Sequence, residues 1–251
     1  MPTVVITGGT GMVGQQLTRL LVEKGYEVLF MSRRSGEMQV GAISIRLVQW
    51  NLQQQTIDAD AIRKADHIIH LAGAGVADKR WTARRKQEIL DSRIQSSRLI
   101  VKALKEIPNT VQSVISASAI GWYGPDEANI TSGSFTEEMP AYNDYLGNTC
   151  KAWEESITPV SVLGKRLVKL RIGIVLSETG GALAEFKKPL KGGIAAILGS
   201  GKQIISWVHV QDLCNMFLFA LENRTMEGSF NAVAPNPVSN KALTLTLARQ
   251  K

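Results

Sequence analysis

Residues 4–14 read Val-Val-Ile-Thr-Gly-Gly-Thr-Gly-Met-Val-Gly, a β-branched run that passes directly into a glycine-rich loop. Leu17, Leu20 and Leu21 follow at helical spacing until Gly25, so the stretch predicts a strand, a tight loop and a helix. In that arrangement the loop amides and the positive end of the helix converge on one place, which suits a pyrophosphate. We therefore predict a dinucleotide site that includes Gly8, Gly9, Thr10, Gly11, Met12 and Val13.

Three glycines in this loop have separate expected tasks. Gly8 permits the tight turn, Gly11 lets the phosphates approach the backbone, and Gly14 lets the helix pack closely on the strand. A structural turn can also use glycines, but the position directly after a strand and before an amphipathic helix favours nucleotide binding.

Ser32, Arg33 and Arg34 follow the second predicted strand, Val28–Met31. An acidic residue at this place would hydrogen-bond the ribose diol of NAD and repel a 2′-phosphate. Two guanidinium groups instead offer planar forks of donors that match phosphate oxygens, and the serine adds a hydroxyl. The sequence therefore favours NADP(H) over NAD(H). The alternative is that both arginines are simply solvated on a surface loop.

Strand patterns alternate with helical patterns along most of the chain. Further strands are predicted at 43–48, 67–72, 111–117 and 168–176, and helices at 56–65, 82–105 and 149–163. Such alternation is typical of a parallel sheet covered by helices on both faces, with right-handed crossovers. The predicted fold class is α/β, with a Rossmann-type doubly wound parallel sheet.

The pattern changes after Leu176. Residues 177–201 are rich in glycine and lysine with little periodicity, and we predict loops that cover a ligand. The stretch from Lys187 to Lys202 either meets an anionic substrate or is a solvated loop. A helix at 210–222 and a strand at 228–233 follow. We predict an NADP-binding domain over residues 1–176 and a smaller, interleaved substrate region over residues 177–251.

The composition excludes several classes of protein. The chain has 251 residues, of which 44% are hydrophobic and 20% charged, enough to bury a full core. It contains no apolar run long enough for a membrane span and no signal-peptide pattern at its start, so we expect a soluble, cytoplasmic protein that does not insert into membranes. Cys150 and Cys214 lack metal-ligand spacing, which favours free thiols and no metal.

The net charge is +7, and the densest basic cluster comprises Lys79, Arg80, Arg84, Arg85 and Lys86. Glu88 and Asp91 follow at helical spacing, so we interpret the cluster as a solvated helix face. Nucleic-acid binding would need interleaved aromatic residues, and the cluster contains Trp81 alone. We therefore expect a small-molecule substrate and no nucleic-acid partner.

An ordered series of motifs makes the sequence resemble one group of proteins. The series is Thr7–Gly14, Ser32-Arg33, His70-Leu71-Ala72-Gly73, Arg80-Trp81-Thr82, Ser92-Arg93-Ile94, Ser118-Ala119-Ile120-Gly121-Trp122-Tyr123-Gly124, Trp153-Glu154, Arg171-Ile172-Gly173, Gly199-Ser200-Gly201 and Ser206–Asp212. It is similar to the NAD(P)-dependent epimerase/dehydratase-like proteins among the extended or atypical short-chain dehydrogenases/reductases. The similarity runs from residue 3 to about residue 240.

The resemblance implies further cofactor contacts. The adenine would meet Trp50, Asn51 and Leu52, and the nicotinamide-side ribose would pass the backbone of Leu71, Ala72 and Gly73. Ile172 would lie near the nicotinamide, although it and Leu71 have an ordinary packing alternative. Ser118 falls where extended members keep a hydroxyl that hydrogen-bonds the reacting carbonyl or alcohol.

The proton-transfer pair of active short-chain dehydrogenases, Tyr-x-x-x-Lys, is missing. In such a pair the ammonium lies one helical turn from the phenol and lowers its pKa. Tyr145 is followed four residues later by Thr149, and Lys151 lies six positions on, which puts it on a different side of a helix. Tyr145 is therefore the first candidate for the acid/base and Tyr123 the second; the alternative is that both line a pocket.

Two functions remain open from the sequence. The first is an NADP-dependent oxidoreductase or epimerase acting on a small polar substrate such as a nucleotide sugar. The second is a cofactor-binding sensor or interaction protein that has lost its chemistry. The long helices resemble those that pair between subunits in extended members, so we expect a homodimer. Family members usually continue past residues 234–238, so we also expect part of the substrate pocket to lie outside this sequence.

Overall fold

Seven parallel strands form the centre of the main sheet in the computed structural model, which describes residues 1–126, 134–192 and 195–250. The strands of this sheet are β1 Thr3–Thr7, β2 Glu27–Ser32, β3 Gly36–Val40, β4 Ile43–Asn51, β5 Thr56–Ile57, β6 His67–His70, β7 Ser113–Ala119, β8 Arg166–Ile172 and β13 Gly228–Ala232. Their order is β13-β8-β7-β6-β1-β2-β4-β3, and β5 pairs with β4. Only β3 and β5 run antiparallel to their partner, β4. This is the predicted doubly wound α/β fold.

Helices cover both faces of the sheet. They are α1 Met12–Glu23, α2 Ala59–Lys64, α3 Ala83–Glu106, α4 Tyr145–Ile157, α5 Pro159–Val162, α6 Ala182–Lys191, α7 Val210–Glu222 and α8 Asn240–Arg249. Side chains of a strand alternate between faces, so Ile6 and Ile115 pack with α1 and α7 while Val5 and Val114 pack with α3. Because the strands carry apolar residues on both faces, helices pack against both faces of the sheet.

Small strands complete the second half of the chain. β9 Ile174–Ser177 pairs with β10 Gly180–Gly181 and β12 Trp207–His209, and β11 Ile204–Ile205 pairs with β14 Val238–Ser239. Two later elements return to the main body, since β13 pairs with β8 and α7 packs against α1.

The predicted loop at 177–201 was wrong over its central part. Residues 182–191 form α6, because Ala182, Leu183 and Ala184 are strong helix formers and Glu185 pairs with Lys188 at 2.7 Å. The glycines on either side, which suggested a loop, end the element instead. Gly193 and Ile194, within the same stretch, lie outside the described residues.

Two other boundaries differ from prediction. The strand expected at 168–176 divides at Gly173, where the backbone changes partner: the amide of Gly173 bonds to Ala232 and that of Ile174 bonds to Ser206. The helix expected at 149–163 begins earlier, at Tyr145, because Asp144 caps it by accepting the Gly147 amide at 2.7 Å. It gives way to α5 at Pro159, which occupies the first turn of that helix.

Candidate cofactor and substrate site

The glycine loop lies where the sheet order reverses, between β1 and β6. Gly8 has φ +72°, and a Cβ there would lie 2.8 Å from the carbonyl carbon of Leu71. Its carbonyl accepts the Gly11 amide at 3.1 Å, which closes the turn. Ligands bind at such a switch point in open α/β sheets, outside the carboxyl ends of the strands.

The other loop glycines allow close packing on one side and open space on the other. A Cβ at Gly14 would lie 2.5 Å from the Cα of Gly9, and one at Gly9 would overlap the Phe30 ring. A Cβ at Gly11 would meet only the Gly8 carbonyl oxygen, at 3.4 Å. The chain therefore presents a cradle beside the first turn of α1 that a pyrophosphate fits.

A buried histidine fixes the strand ends behind this loop. His70 Nδ1 lies 2.7 Å from the Thr7 hydroxyl, which also accepts the Ala72 amide at 3.2 Å. On the other side of the ring, Nε2 lies 3.1 Å from the Ser97 hydroxyl. Burial, aided by the nearby charge of Arg93, lowers the pKa of His70 to about 3, so the ring is neutral and serves as a hydrogen-bonded spacer.

The predicted phosphate-binding residues lie at the carboxyl end of β2. Ser32 ends that strand, and Arg33 and Arg34 are exposed just beyond it. The backbone of Arg33 is held by Gln49, whose amide nitrogen donates to its carbonyl at 3.2 Å. Among the described residues, neither guanidinium group has a hydrogen-bond or ion-pair partner, and both side chains are exposed at the strand end.

The residues predicted for the adenine lie at the end of the neighbouring strand, β4. Asn51 accepts the amides of Gln53 and Gln54 at 2.9 and 3.0 Å, which shapes the turn. Trp50 is buried in the core below α3, and Leu52 packs against the same cluster. Of the three, Asn51 is the last residue of the strand, and its side-chain oxygen already accepts the two backbone amides of the turn.

The segment after β6 is held between the sheet and α3. The Leu71 amide donates to Thr7, and Ala74 is tied to α3 through Ser92 and Arg93, whose side chains bond its amide and carbonyl at 2.9 and 3.0 Å. A Cβ at Gly73 would press on Arg93, 3.1 Å away. Leu71, Ala72 and Gly73 therefore present a fixed backbone beside Gly8.

Ser118 belongs to a buried ionic cluster at the end of β7. Its hydroxyl donates to Glu154 Oε1 at 2.7 Å, and Arg171 bonds the same carboxylate through Nε at 2.8 Å. Lys169 and Ser229 approach Glu154 Oε2 at 3.6 and 3.2 Å. Burial alone would raise the pKa of Glu154, but hydrogen bonds from Arg171 and Ser118 hold it below its usual value.

Tyr123 is part of the same cluster. Its hydroxyl donates to Asn231 Oδ1 at 2.7 Å and accepts from Arg171 Nη1 at 2.9 Å, and its ring stacks on Phe135. The residue is 3% exposed. Burial raises the pKa of the phenol, partly offset by Arg171.

Tyr145 lies at the first residue of α4, apart from that cluster. Its hydroxyl donates to the Lys86 carbonyl at 3.0 Å, and the Lys86 ammonium lies 4.9 Å from the ring centroid. Lys151 points elsewhere, toward Glu155 at 4.0 Å, as the helical spacing predicted. Lys86, on another helix, therefore places a cation over the Tyr145 ring, which no local spacing could indicate.

The structure also brings the second half of the chain to the cofactor loop. Ile172 ends β8, half-buried against the α1 side of the core. A Cβ at Gly181, the N-cap of α6, would lie 3.2 Å from Cε of Met12 in the glycine loop. This approach was not predicted from the sequence, although the adjacent glycines Gly180 and Gly181 could have indicated it.

Both cysteines are buried free thiols, as expected, and burial raises the pKa of Cys150 to about 11. Within the described ranges, no helix is both long and apolar enough to cross a membrane, and no group of three potential ligands could hold a metal ion.

One prediction about the basic cluster was wrong. Arg85 is not solvated but buried, with Nη2 donating to the Gly75 carbonyl at 2.6 Å and ion pairs to Asp78 and Glu88. Its guanidinium has a partner in the preceding loop that helical spacing alone does not reveal.

Sequence comparison identifies related proteins along nearly the whole chain. A model of the NAD dependent epimerase/dehydratase family matches residues 4–152. The epimerase family protein YfhF of Bacillus subtilis is 35% identical over 99% of this chain and 79% of its own length. An epimerase family protein of Staphylococcus aureus is also 35% identical, over 99% of this chain and 80% of its own.

Solved structures agree with this. Human epimerase family protein SDR39U1, solved with NADPH, superposes with a TM-score of 0.82 at 26% identity, over 98% of this chain and 79% of its own. The nucleoside-diphosphate sugar epimerase from Corynebacterium glutamicum gives a TM-score of 0.81 at 33% identity, over 100% of this chain and 50% of its own.

Proposed function

The chain belongs to the NAD-dependent epimerase/dehydratase family, and we propose that it is an NADP(H)-dependent oxidoreductase or epimerase acting on a small polar substrate. The observation that carries the cofactor proposal is the pair of exposed arginines, Arg33 and Arg34, at the end of β2, which pairs with the strand that leads into the glycine loop. The human relative, whose structure holds NADPH, supports the same choice.

Arginine at this position favours the phosphorylated dinucleotide for a simple reason. A ribose 2′-phosphate carries negative charge that the guanidinium forks of Arg33 and Arg34 can bind in a bidentate manner. The residues between β2 and β3 include no carboxylate that would bind the ribose diol of NAD. NADP(H) is thus preferred through the added phosphate.

Calorimetric titration with NADPH and NADH tests this preference. Each lost charge-assisted hydrogen bond is worth about 1.5–3 kcal/mol, so Arg33→Ala and Arg34→Ala should each weaken NADPH binding at least about tenfold and leave NADH binding nearly unchanged. Arg63→Ala, which removes an exposed arginine paired with Asp60 on α2, is the matched control. Equal affinity of the native protein for the two cofactors would refute the preference.

NADP(H), when bound, accepts or donates a hydride. For the accompanying proton we propose Ser118 as the group that binds the reacting oxygen and Tyr145 as the acid/base, with Tyr123 as the second candidate. In the position of Tyr145, the ammonium of Lys86 replaces the lysine that helical spacing does not supply.

Nucleotide sugars are the first substrates to test, because the bacterial relative is named a nucleoside-diphosphate sugar epimerase. The purified protein should be tested with NADP(H) against panels of nucleotide sugars and small carbonyl compounds. Turnover that collapses in Ser118→Ala while NADPH affinity persists is the expected result.

A second candidate is a cofactor-binding sensor without catalysis. It is favoured by the absence of Tyr-x-x-x-Lys and by the burial of Ser118 against Glu154. Tight NADPH binding without turnover across both panels, together with protein partners that change with NADPH, would support the sensor over the enzyme.

We also propose that the chain forms a homodimer through α3 and α4, which lie side by side. Sedimentation velocity should give a mass near twice 27.4 kDa. A monomer across micromolar concentrations would refute this proposal.

A further inference from the structure

Arg93, on α3, holds a positive charge beside the segment that follows β6. Its Nη1 donates to the carbonyls of Ala74 and Ile89 at 3.0 and 2.9 Å. The guanidinium stacks on the Trp153 ring, with Cζ 4.9 Å from the ring centroid, and a Cβ at Gly73 would lie 3.1 Å from Cζ. The half-buried guanidinium is therefore fixed between α3, α4 and the backbone that we expect to pass the cofactor.

No carboxylate offsets this charge among the residues that the structure describes. The titratable groups that act on the guanidinium are the Cys150 thiol, the Tyr145 phenol and the guanidinium of Arg85. Arginine keeps its charge at neutral pH. A partly buried cation without a counter-charge costs free energy and is typical of functional sites.

Arg85 provides a direct comparison on the same helix. It also holds the segment after β6, because its Nη2 donates to the Gly75 carbonyl at 2.6 Å. In contrast to Arg93, it pairs with two carboxylates, Asp78 at 3.5 Å and Glu88 at 2.8 Å. Holding the loop therefore does not require an uncompensated charge.

The neighbouring ionic cluster does not compensate Arg93 either. Glu154 faces Arg171 and Lys169, at 2.8 and 3.6 Å. Glu137 is a second carboxylate there, and its Oε1 accepts a backbone amide of β13 at 2.8 Å. Among the described residues of this cluster, two carboxylates thus meet two cations, and their charges balance.

The charge of Arg93 acts on the side of the sheet where we expect the nicotinamide. The order β2-β1-β6-β7-β8 surrounds the glycine loop. Because the proposed 2′-phosphate site, Arg33 and Arg34, lies at β2, the other half of a dinucleotide bound across the switch point extends over β6 and β7. Arg93 adds to the effect of burial in lowering the pKa of His70, the last residue of β6, to about 3. Its field therefore reaches this edge of the sheet.

We infer that Arg93 makes the protein select the reduced cofactor, so that its reaction is the reduction of a carbonyl substrate rather than an epimerisation. The inference rests on the proposed function for the presence of NADP(H). The nicotinamide ring of NADP⁺ carries a positive charge that the ring of NADPH lacks, so an uncompensated cation repels only the oxidised form.

The redox state of the bound cofactor decides the direction of the chemistry. An epimerase that proceeds through a ketone begins with NADP⁺, whereas a reductase begins with NADPH. In the reduction, a hydride with its two electrons passes from NADPH to the carbonyl carbon, and a proton passes from the proposed acid, Tyr145, to the oxygen. The products are NADP⁺ and an alcohol, and the phenol regains its proton from water.

Calorimetric titration of the full chain with NADPH, NADP⁺ and 2′,5′-ADP measures this selectivity. Like unit charges about 12 Å apart at an effective dielectric constant of about 20 repel enough for about a tenfold difference in affinity. The native protein should therefore bind NADPH about tenfold more tightly than NADP⁺. Arg93→Met should bring this ratio close to one, mainly by strengthening NADP⁺ binding, and Arg93→Lys should keep most of it. The probe 2′,5′-ADP lacks the nicotinamide, so all three proteins should bind it alike.

Two further variants complete the test. Arg93→Gln, whose amide can still donate to the Ala74 carbonyl, is a second neutral variant and should also lose the selectivity. Arg63→Met, which removes an exposed arginine on α2, is the matched control and should keep the native ratio. Equal affinity of the native protein for NADPH and NADP⁺ would overturn the inference. A native ratio in both neutral variants, even with weaker binding of both cofactors, would show that Arg93 is purely structural and would overturn it as well.

Binding of 2′,5′-ADP distinguishes this failure from failure of the proposed function. If the native protein binds 2′,5′-ADP and does not discriminate between NADPH and NADP⁺, the cofactor site stands and the selectivity is wrong. If it binds none of the three compounds, the cofactor proposal fails and the inference fails with it.

Discussion

Ser118 and Glu154 share a 2.7 Å hydrogen bond that ties the end of β7 to α4, and Arg171 and Lys169 both face the same Glu154 carboxylate. Because the serine proton points to the carboxylate and the residue is buried, Ser118 can accept a further hydrogen bond in this arrangement but cannot donate one. The serine is thus oriented by a residue from another element of the fold.

Removing the carboxylate should destabilise the protein strongly. Glu154→Ala leaves the buried Arg171 guanidinium without its counter-charge, which is expected to lower the free energy of unfolding by about 3–5 kcal/mol. Glu155→Ala is the control, because the Glu155 side chain is 65% exposed and its ion pair with Lys151 is long, at 4.0 Å. Its removal should change the free energy of unfolding by about 0.5 kcal/mol or less. Urea unfolding followed by circular dichroism measures both. Similar losses in the two variants would show that the cluster does not stabilise the fold.

His70 should make stability depend on pH in a separate range. Its pKa is lowered from 6.5 to about 3 by burial, so the unfolded chain binds a proton that the folded one excludes. Stability from this residue is complete above pH 6.5 and declines as pH falls toward 3, by about 1.4 kcal/mol per pH unit.

The comparison that isolates this effect is the native protein against His70→Gln at pH 7.0 and 5.5. The native protein should lose about 1.2 kcal/mol more than the variant between these values. His67, whose pKa burial also lowers, is present in both and cancels. The same pH dependence in the two proteins would mean that His70 titrates normally.

Sequence patterns predicted the elements that depend on local chemistry. The run from Val4 to Gly14, with Leu17, Leu20 and Leu21 after it, predicted β1, the loop and α1 because the strand, turn and helix signals follow one another directly in the chain. The β-branched and apolar residues of the strands likewise predicted that helices cover both faces of the sheet. Helix α6 was missed because flanking glycines outweighed the good helix formers between them.

Long-range pairing explains what the sequence could not predict at the candidate site. Glu154 and Arg171 are 17 residues apart, and each lies in an element that carries other charged residues. Nothing in their spacing shows that they meet each other and Ser118. Lys86 and Tyr145, 59 positions apart, meet only because α3 packs beside α4.

Two glycines in the cofactor loop should respond differently to alanine. A Cβ at Gly14 would lie 2.5 Å from backbone atoms of Gly9, so Gly14→Ala should cost about 1–3 kcal/mol of stability through overpacking. A Cβ at Gly11 meets one oxygen at 3.4 Å, so Gly11→Ala should fold normally but weaken NADPH binding at least about tenfold, because the methyl group enters the space of the pyrophosphate.

Thermal unfolding and NADPH titration separate these two effects. Gly192→Ala, where the added atom makes an ordinary 3.5 Å contact with Pro189, is the control for both. Normal NADPH affinity in Gly11→Ala would place the pyrophosphate elsewhere.

Once a substrate is known, kinetics should show that one of Tyr145 and Tyr123 takes part in catalysis and that the other stabilises the fold. Tyr145→Phe removes a hydroxyl that, among the described residues, makes one hydrogen bond, to the Lys86 carbonyl, so it should lower kcat about a hundredfold or more and change the melting temperature little. Tyr123→Phe removes a buried hydroxyl that bonds both Arg171 and Asn231. Its main effect should therefore be on the free energy of unfolding, a loss of about 1–3 kcal/mol, rather than on kcat. Steady-state kinetics and thermal unfolding of both variants test the assignment. If Tyr123→Phe lowers kcat more than Tyr145→Phe does, the phenol beside Arg171 is the acid/base, and the tyrosine beside Lys86 serves binding alone.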